Sequence, residues 1–300
     1  MLEVAAGVAA AAGALGYIVG RWRERKASHA DGAPSLVSAQ GRKATIAMRD
    51  GAEIDARIYH PERTEPAGAI VYAHGGAFSI GDCESNAAVA RALCGSTGCI
   101  VVDTSYRQGQ AHPNPAAIQD LEDVTRHVRS GHPGLRVGVA GSSSGGYFAL
   151  ALSQHPPDGQ PYAFCVALNP VAHPGRRREY LERCVGGGAA AAGFALHHGP
   201  QRAQAMIEMQ TGYWVTDAAA DAAGDELGPS EHGTPTMVVL GGQDLNVPPQ
   251  ITMALHRWAH HVLVLGKYGH ELCNEVPKHE ADSYIPELQR FVRNALKGMW

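Results

Sequence analysis

Leu135-Arg-Val-Gly-Val-Ala140, then Gly141-Ser-Ser-Ser-Gly145, then Gly146-Tyr-Phe-Ala-Leu-Ala-Leu152 is the stretch whose reading decides the fold. The first run reads as a buried strand and the last as a helix, with a G-x-S-x-G pentad between them. A serine at the tip of such a turn is held in a strained conformation with its hydroxyl exposed. Glycines two positions to either side let strand and helix pass without a side-chain clash. That geometry serves nucleophilic attack. Three serines stand in a row, and only Ser143 has glycine at both minus two and plus two. Ser143 is therefore the expected nucleophile, and the chain reads as a serine hydrolase. A Ser/Gly-rich loop is the lesser alternative when the pentad is taken alone, so the surrounding chain has to decide.

Outward from the pentad, apolar runs alternate with helical patterns. Lys43–Arg49 and Ala52–Tyr59 alternate in polarity around Asp50-Gly51, which predicts a β-hairpin. Buried strands are predicted at Gly68–Ala73, Gly98–Asp103, Tyr162–Leu168, Thr236–Leu240 and His261–Leu265, and helices at Glu84–Cys94, Pro115–Arg129 and about Ser283–Leu296. This rhythm implies an α/β fold with a mostly parallel central sheet covered by helices on both faces. The rhythm breaks between Ala172 and Thr234, where a helical piece at Arg202–Met209 is the clearest element. An insertion there, residues 172–234, suits a lid over a site; a purely structural excursion is the alternative.

The bulk numbers bound the rest. A chain of 300 residues, 45% apolar and 18% charged, suits a soluble domain with a full core. A net charge of -4 and the lack of a long basic stretch argue against nucleic-acid binding. Arg176-Arg177-Arg178 is the one dense basic cluster past the N-terminus, and it reads as a solvated loop or helix face. Six cysteines form no C-x-x-C pair, which argues against structural zinc and thioredoxin-like chemistry. Cys99 and Cys165 read as small core residues. His256 and His260, four apart in a predicted helix, are the best metal pair available and lack a supporting acid; His260-His261 reads as a surface pair. No metal and no organic cofactor is expected.

Residues 1–26 form an apolar segment: Val4–Val19 carries no charge, and Arg21-Trp-Arg-Glu-Arg-Lys26 follows at once. A membrane anchor is the leading reading, with the catalytic domain then on the cytoplasmic side. An Ala-rich soluble or disordered helix and a signal peptide are the others, the last weakened because positive charge follows the run instead of preceding it. Residues 27–42 read as a linker, and 43–300 as the hydrolase domain.

A serine hydroxyl needs a base, and the base needs an orienting acid. In a fold of this kind they follow the nucleophile in the order acid, then histidine, each past the end of a strand. Strand 236–240 runs into Gly241-Gly-Gln-Asp244, and strand 261–265 into Gly266-Lys-Tyr-Gly-His270. Asp244 and His270 thus complete the expected set with Ser143. The oxyanion needs preorganised N–H groups. The His74-Gly75-Gly76-Ala77 loop, after the strand ending at Ala73, is placed to supply them together with the amide of Ser144. His74 is expected to brace that loop instead of moving protons.

Four stretches in order, His74-Gly-Gly-Ala-Phe-Ser-Ile-Gly81, Val101-Val-Asp-Thr-Ser-Tyr-Arg107, His112-Pro-Asn-Pro-Ala-Ala-Ile-Gln-Asp120 and Gly141-Ser-Ser-Ser-Gly-Gly146, resemble the hormone-sensitive lipase-like branch of the α/β-hydrolases. That branch includes bacterial carboxylesterases and membrane-anchored arylacetamide deacetylases. The resemblance runs from about Lys43 past His270. It implies Ser143, Asp244 and His270 as the triad, Gly76, Ala77 and Ser144 as oxyanion donors, and Asp103, Tyr106, Arg107 and Asp120 as structural residues behind the site. It implies a small-molecule ester as the partner, hydrolysed as a short-to-medium acyl ester. An amidase, thioesterase or formamidase on a specialised metabolite, or a non-catalytic small-molecule binder, stands as the alternative. The chain departs from the family at Ala77, where a third glycine is usual, at Asp244-Leu-Asn-Val-Pro in place of Asp-x-Leu, and at Glu271 after the histidine. These changes bear on substrate preference more than on the reaction.

Overall fold

Arg42–Ala47 (β1) and Glu53–Tyr59 (β2) form the predicted hairpin, with Arg42 opposite Ile58 and Ala47 opposite Glu53. Next come Ala69–Ala73 (β3), helix Ala87–Thr97 (α1), Ile100–Thr104 (β4), helix Ala116–Gly131 (α2), Val137–Ser142 (β5), helix Ser144–Gln154 (α3) and Cys165–Leu168 (β6). Helices Pro174–Val185 (α4) and Pro200–Trp214 (α5) follow, then Thr236–Gly241 (β7), His261–Leu265 (β8) and helix Ile285–Leu296 (α6). This computed structural model describes residues 41–62, 65–186, 200–214, 219, 227–277 and 283–300. The apolar segment 1–26, almost all of the linker 27–42, and parts of the insertion 172–234 lie outside the described residues. Among the described residues no helix is long and apolar enough to cross a membrane.

The strands make one eight-stranded sheet in the order β1-β2-β4-β3-β5-β6-β7-β8. The first two pairings are antiparallel and the other five parallel. Alternation along β3 assigns the two faces: Ala69, Val71 and Ala73 join one apolar cluster, Ile70 and Tyr72 the other. Helices α2 and α3 cover the first face with Leu121, Val124, Val128, Phe148 and Leu152. Helices α1 and α6 cover the second with Val89, Leu93, Leu288, Phe291 and Val292. On α6 the buried residues 288, 291, 292 and 295 fall at i, i+3, i+4 and i+7, the stripe of a helix that is apolar on one side only.

Three boundaries differ from the expected ones for visible reasons. Helix α1 starts at Ala87, because residues 82–86 form a turn in which Asp82 Oδ1 accepts the Glu84 amide at 2.9 Å. Strand β6 starts at Cys165, because Tyr162 leaves the sheet to pack on α2: its hydroxyl lies 2.8 Å from Thr125 Oγ1, and the Arg129 guanidinium sits 5.1 Å from its ring centre. The expected helix bearing His256 and His260 is a short 3₁₀ turn, Met253–Arg257, and His260 lies beyond it. The His260 ring accepts the Thr236 amide at 3.1 Å, so it does not share a helix face with His256, although it stays exposed at the surface. The six cysteines are all buried and reduced, Cys99 and Cys165 among them.

The basic cluster 176–178 is also corrected. Arg176 is exposed, but Arg177 is only 1% exposed. Residues 177, 180, 181 and 184 are the buried stripe of α4 at i, i+3, i+4 and i+7. That stripe packs on α5 through Tyr180, Leu181, Cys184, Ala203 and Met206.

Candidate active site

The three serines are sorted by their backbone. Ser142 ends β5, with its hydroxyl buried 2.6 Å from that of Tyr72, and Ser144 opens α3. Ser143 lies between them at φ 54°, ψ -118°, a region that a side chain with Cβ rarely adopts. The turn is closed so tightly that a Cβ on Gly141 would lie 2.1 Å from the Gly145 carbonyl oxygen, and one on Gly145 would lie 2.1 Å from that of Ala73. Strand and helix can cross there only without side chains.

Asp244 and His270 arrive from the ends of β7 and β8. His270 Nε2 lies 3.1 Å from Ser143 Oγ, and His270 Nδ1 lies 2.7 Å from Asp244 Oδ2. Asp244 Oδ1 accepts the amides of Asn246 and Val247, both at 2.8 Å, which leaves Oδ2 for the histidine. Burial favours the neutral imidazole, but the facing Asp244 carboxylate outweighs it, and the His270 pKa stands above its ordinary value of 6.5.

Of the expected oxyanion donors, Gly75 is corrected. Its N–H donates to Asn86 Oδ1 at 2.7 Å and cannot also meet an oxyanion. Gly76 and Ala77 line the same cavity as Ser143 and His270, with Ser144 at the N-terminus of α3 beside it. Gly76 has φ 155°, and a Cβ there would lie 1.6 Å from the Ile80 carbonyl oxygen, so this position admits glycine alone. Ala77 sits at φ 52°, a left-handed conformation where the family's usual glycine would be unstrained. His74 is fully buried: its ring stacks on Tyr106 at 4.3 Å, and its carbonyl accepts the Tyr106 hydroxyl at 2.6 Å. Behind the loop, Arg107 grips buried Asp120 with its side chain and its backbone amide. The Glu271 departure also has a place, since its Oε1 accepts the Gly269 amide at 2.8 Å and pins the turn ahead of His270.

Two positioning residues escape a reading of motifs. Asn169, just past β6, accepts the Gly241 amide at 2.6 Å and donates to the Gly269 carbonyl at 2.9 Å. It ties the acid-bearing strand to the histidine loop. Asn86 stands where the cap of α1 belongs, but its side chain instead joins Gly75 to Asn274, which is 188 residues away in the chain. An Asn-Pro dipeptide and a helix-start asparagine both carry bland local explanations, so no sequence signal points to either role. Arg177 was different, because the α4 stripe already marks it as buried.

A sequence profile of the α/β-hydrolase fold matches residues 70–264, more than half of the chain, and ends just short of His270. The chain belongs to the α/β-hydrolase fold family. That match agrees with the resemblance to the hormone-sensitive lipase-like branch of the family. It is 37% identical over 128 residues to the esterase LipI of Mycobacterium tuberculosis, a match covering 39% of this chain and 40% of that protein. It is 26% identical over 196 residues to an ethyl acetate hydrolase of Pseudomonas putida, covering 62% of this chain and 56% of that one. The matched stretch thus spans about two-fifths to just over half of the length of these relatives. Among solved structures, an esterase of Pyrobaculum calidifontis superposes with a TM-score of 0.71 at 20% identity, over 94% of this chain and 92% of that one. At that identity the likeness speaks for the fold.

Proposed function

We propose that this α/β-hydrolase is a serine carboxylesterase that works through an acyl-serine intermediate. The observation that carries the reading is the continuous chain of contacts from Ser143 through His270 to Asp244, built on a strained turn. Ser143 Oγ attacks the ester carbonyl while His270 Nε2 takes its proton. Asp244 holds the ring in the tautomer that presents Nε2 and stabilises the imidazolium. The amides of Gly76, Ala77 and Ser144 receive the tetrahedral oxyanion. Collapse expels the alcohol, protonated by His270, and water then repeats the sequence on the acyl-enzyme.

Relatives named as esterases support an ester over an amide. The cavity at Ser143, about 130 Å³, supports a short acyl chain. In this reading α4 and α5, which lend Arg177, Arg202, Met206 and Met209 to its wall, act as a lid. Ser143→Ala should abolish hydrolysis of 4-nitrophenyl butyrate without changing the thermal melt; retained turnover would refute the assignment. The uncharged run Val4–Val19 ahead of Arg21 supports membrane association of the N-terminus. Fractionation of the full chain against one starting at residue 27 tests this.

A further inference from the structure

The cavity above Ser143 contains a charge that the reaction does not call for. Arg177 reaches it from α4, although esters of simple acids need no cation there. Its side chain is buried, and its hydrogen bonds go to neutral acceptors: Nε donates to the Asn246 carbonyl at 3.1 Å, and Nη1 donates to Gln210 Oε1 at 2.9 Å. A guanidinium carries five N–H donors in a rigid fork, so part of the fork, Nη2 included, has no protein acceptor among the described residues. Arg177 makes no ion pair among them either. The carboxylate that acts on it electrostatically is that of Asp244, whose oxygens bond to its own loop and to His270.

Among the described residues the cavity wall is otherwise cationic or neutral: Arg202 of α5 also lines it, and no Asp or Glu does. Burial pulls the Arg177 pKa down to about 10, with Asp244 opposing the fall and Arg202 adding to it; the group stays charged at neutral pH. A buried cation that makes no direct ion pair and keeps open donors is destabilising, unless a ligand completes it. A planar fork with open donors matches a carboxylate, which it can bind in two-pronged fashion.

We propose that Arg177 is a specificity-determining residue, and that the substrate is an ester carrying a carboxylate, on its acyl or its alcohol side, which binds in the Ser143 cavity against the Arg177 guanidinium. The catalytic arm of this inference rests on the esterase reading, and its binding arm does not. The competing role for Arg177 is a brace. Its bond to the Asn246 carbonyl, with that of the Tyr180 hydroxyl to the Leu245 carbonyl at 3.0 Å, fastens α4 to the loop that holds Asp244. A brace affects all substrates alike, whereas a carboxylate partner discriminates between them.

The experiment compares charged and neutral members of two matched ester pairs on the full chain. 4-Nitrophenyl hemiglutarate against its methyl ester places the charge on the acyl side; 4-butyryloxybenzoate against its methyl ester places it on the alcohol side. In one pair the anion should be preferred by about tenfold or more in kcat/KM, as one charge-assisted contact supplies. Arg177→Gln should collapse that ratio to about one, with Arg177→Lys in between. A wild-type preference for the neutral member in both pairs overturns the inference while leaving the esterase standing. So does an Arg177→Gln variant that slows both members equally. If no ester is turned over, the esterase reading fails by itself, and calorimetric binding of the four compounds to Ser143→Ala still decides. Binding of one anion about tenfold tighter than its methyl ester supports Arg177 as its partner, and equal binding overturns it. The wild-type ratios and this binding arm hold the test open even if Arg177→Gln does not fold.

Discussion

The nucleophile turn and the two loops that serve it are held by different physics. Around Ser143 the backbone itself is the constraint: β5, α3 and the end of β3 approach so closely that a single methyl has no room. Around Asp244 and His270 the constraint is polar. Asn169, Glu271 and the amides of Asn246 and Val247 fix two loops that are tight where they cross, a Cβ on Gly241 lying 2.4 Å from the Gly269 carbonyl oxygen, but open at Gly266, where a Cβ would meet nothing within 4 Å. The first arrangement is all-or-none and the second is adjustable. A sterically locked nucleophile served by hydrogen-bonded partners lets the position of the base be tuned without disturbing the elbow.

Substitutions can break that contrast at several strengths. Gly145→Ala should be the most damaging, because its methyl would meet the Ala73 and His74 carbonyl oxygens at 2.1 and 2.3 Å. The expected result is loss of the cooperative melt, or a large fall in Tm, together with loss of turnover. The matched change on the other side, Gly266→Ala in the histidine loop, meets nothing within 4 Å. It should move stability by less than about 1 kcal/mol and leave kcat near wild type. Equal damage from both would erase the distinction.

Asp244→Asn comes next. It should fold and lose on the order of 10³–10⁴-fold in kcat, because the wrong imidazole tautomer faces Ser143. It also carries a pH signature. Only neutral His270 can accept the serine proton, so kcat/KM rises with pH through the His270 titration. Asp244 holds that titration above the ordinary 6.5, so the acid limb of the wild type lies above pH 6.5. With the carboxylate gone, burial loses its largest opponent, and the limb should move to lower pH. A pH-rate profile that does not move would remove Asp244 as the partner.

Asn169→Ala should have the mildest effect on turnover among the damaging changes, about tenfold, with about 1–3 kcal/mol lost in stability as the buried Gly241 amide loses its acceptor. A loss confined to stability would make Asn169 a strut and not a positioning residue.

Much of this was legible in the sequence because it is local or periodic. The strand–turn–helix at 141–145 announces itself within a dozen residues, and Asp244 and His270 stand where apolar runs end. The sheet follows from those same runs. Boundaries slipped where a side chain had another use, as when Tyr162 turned to Thr125 and Asp82 closed a turn ahead of α1. The assignment of Gly75 failed for the same reason: a glycine in the right loop offers an amide, but only the fold shows that Asn86 already holds it. Arg177 was misread because a run of three arginines suggests solvent, although its spacing with Tyr180, Leu181 and Cys184 places it on the buried side of α4. Contacts between residues 72, 100 or 188 positions apart leave no mark in a single sequence.

The central claim is that one oxygen in this chain is made nucleophilic by the pair behind it. Treatment with a fluorophosphonate, followed by mass spectrometry of the digested protein, tests it most directly. The account predicts one adduct per chain, on Ser143, absent in Ser143→Ala and formed far more slowly in His270→Ala. An unlabelled wild type, a label on Ser142 or Ser144, or unchanged labelling without His270 would contradict it.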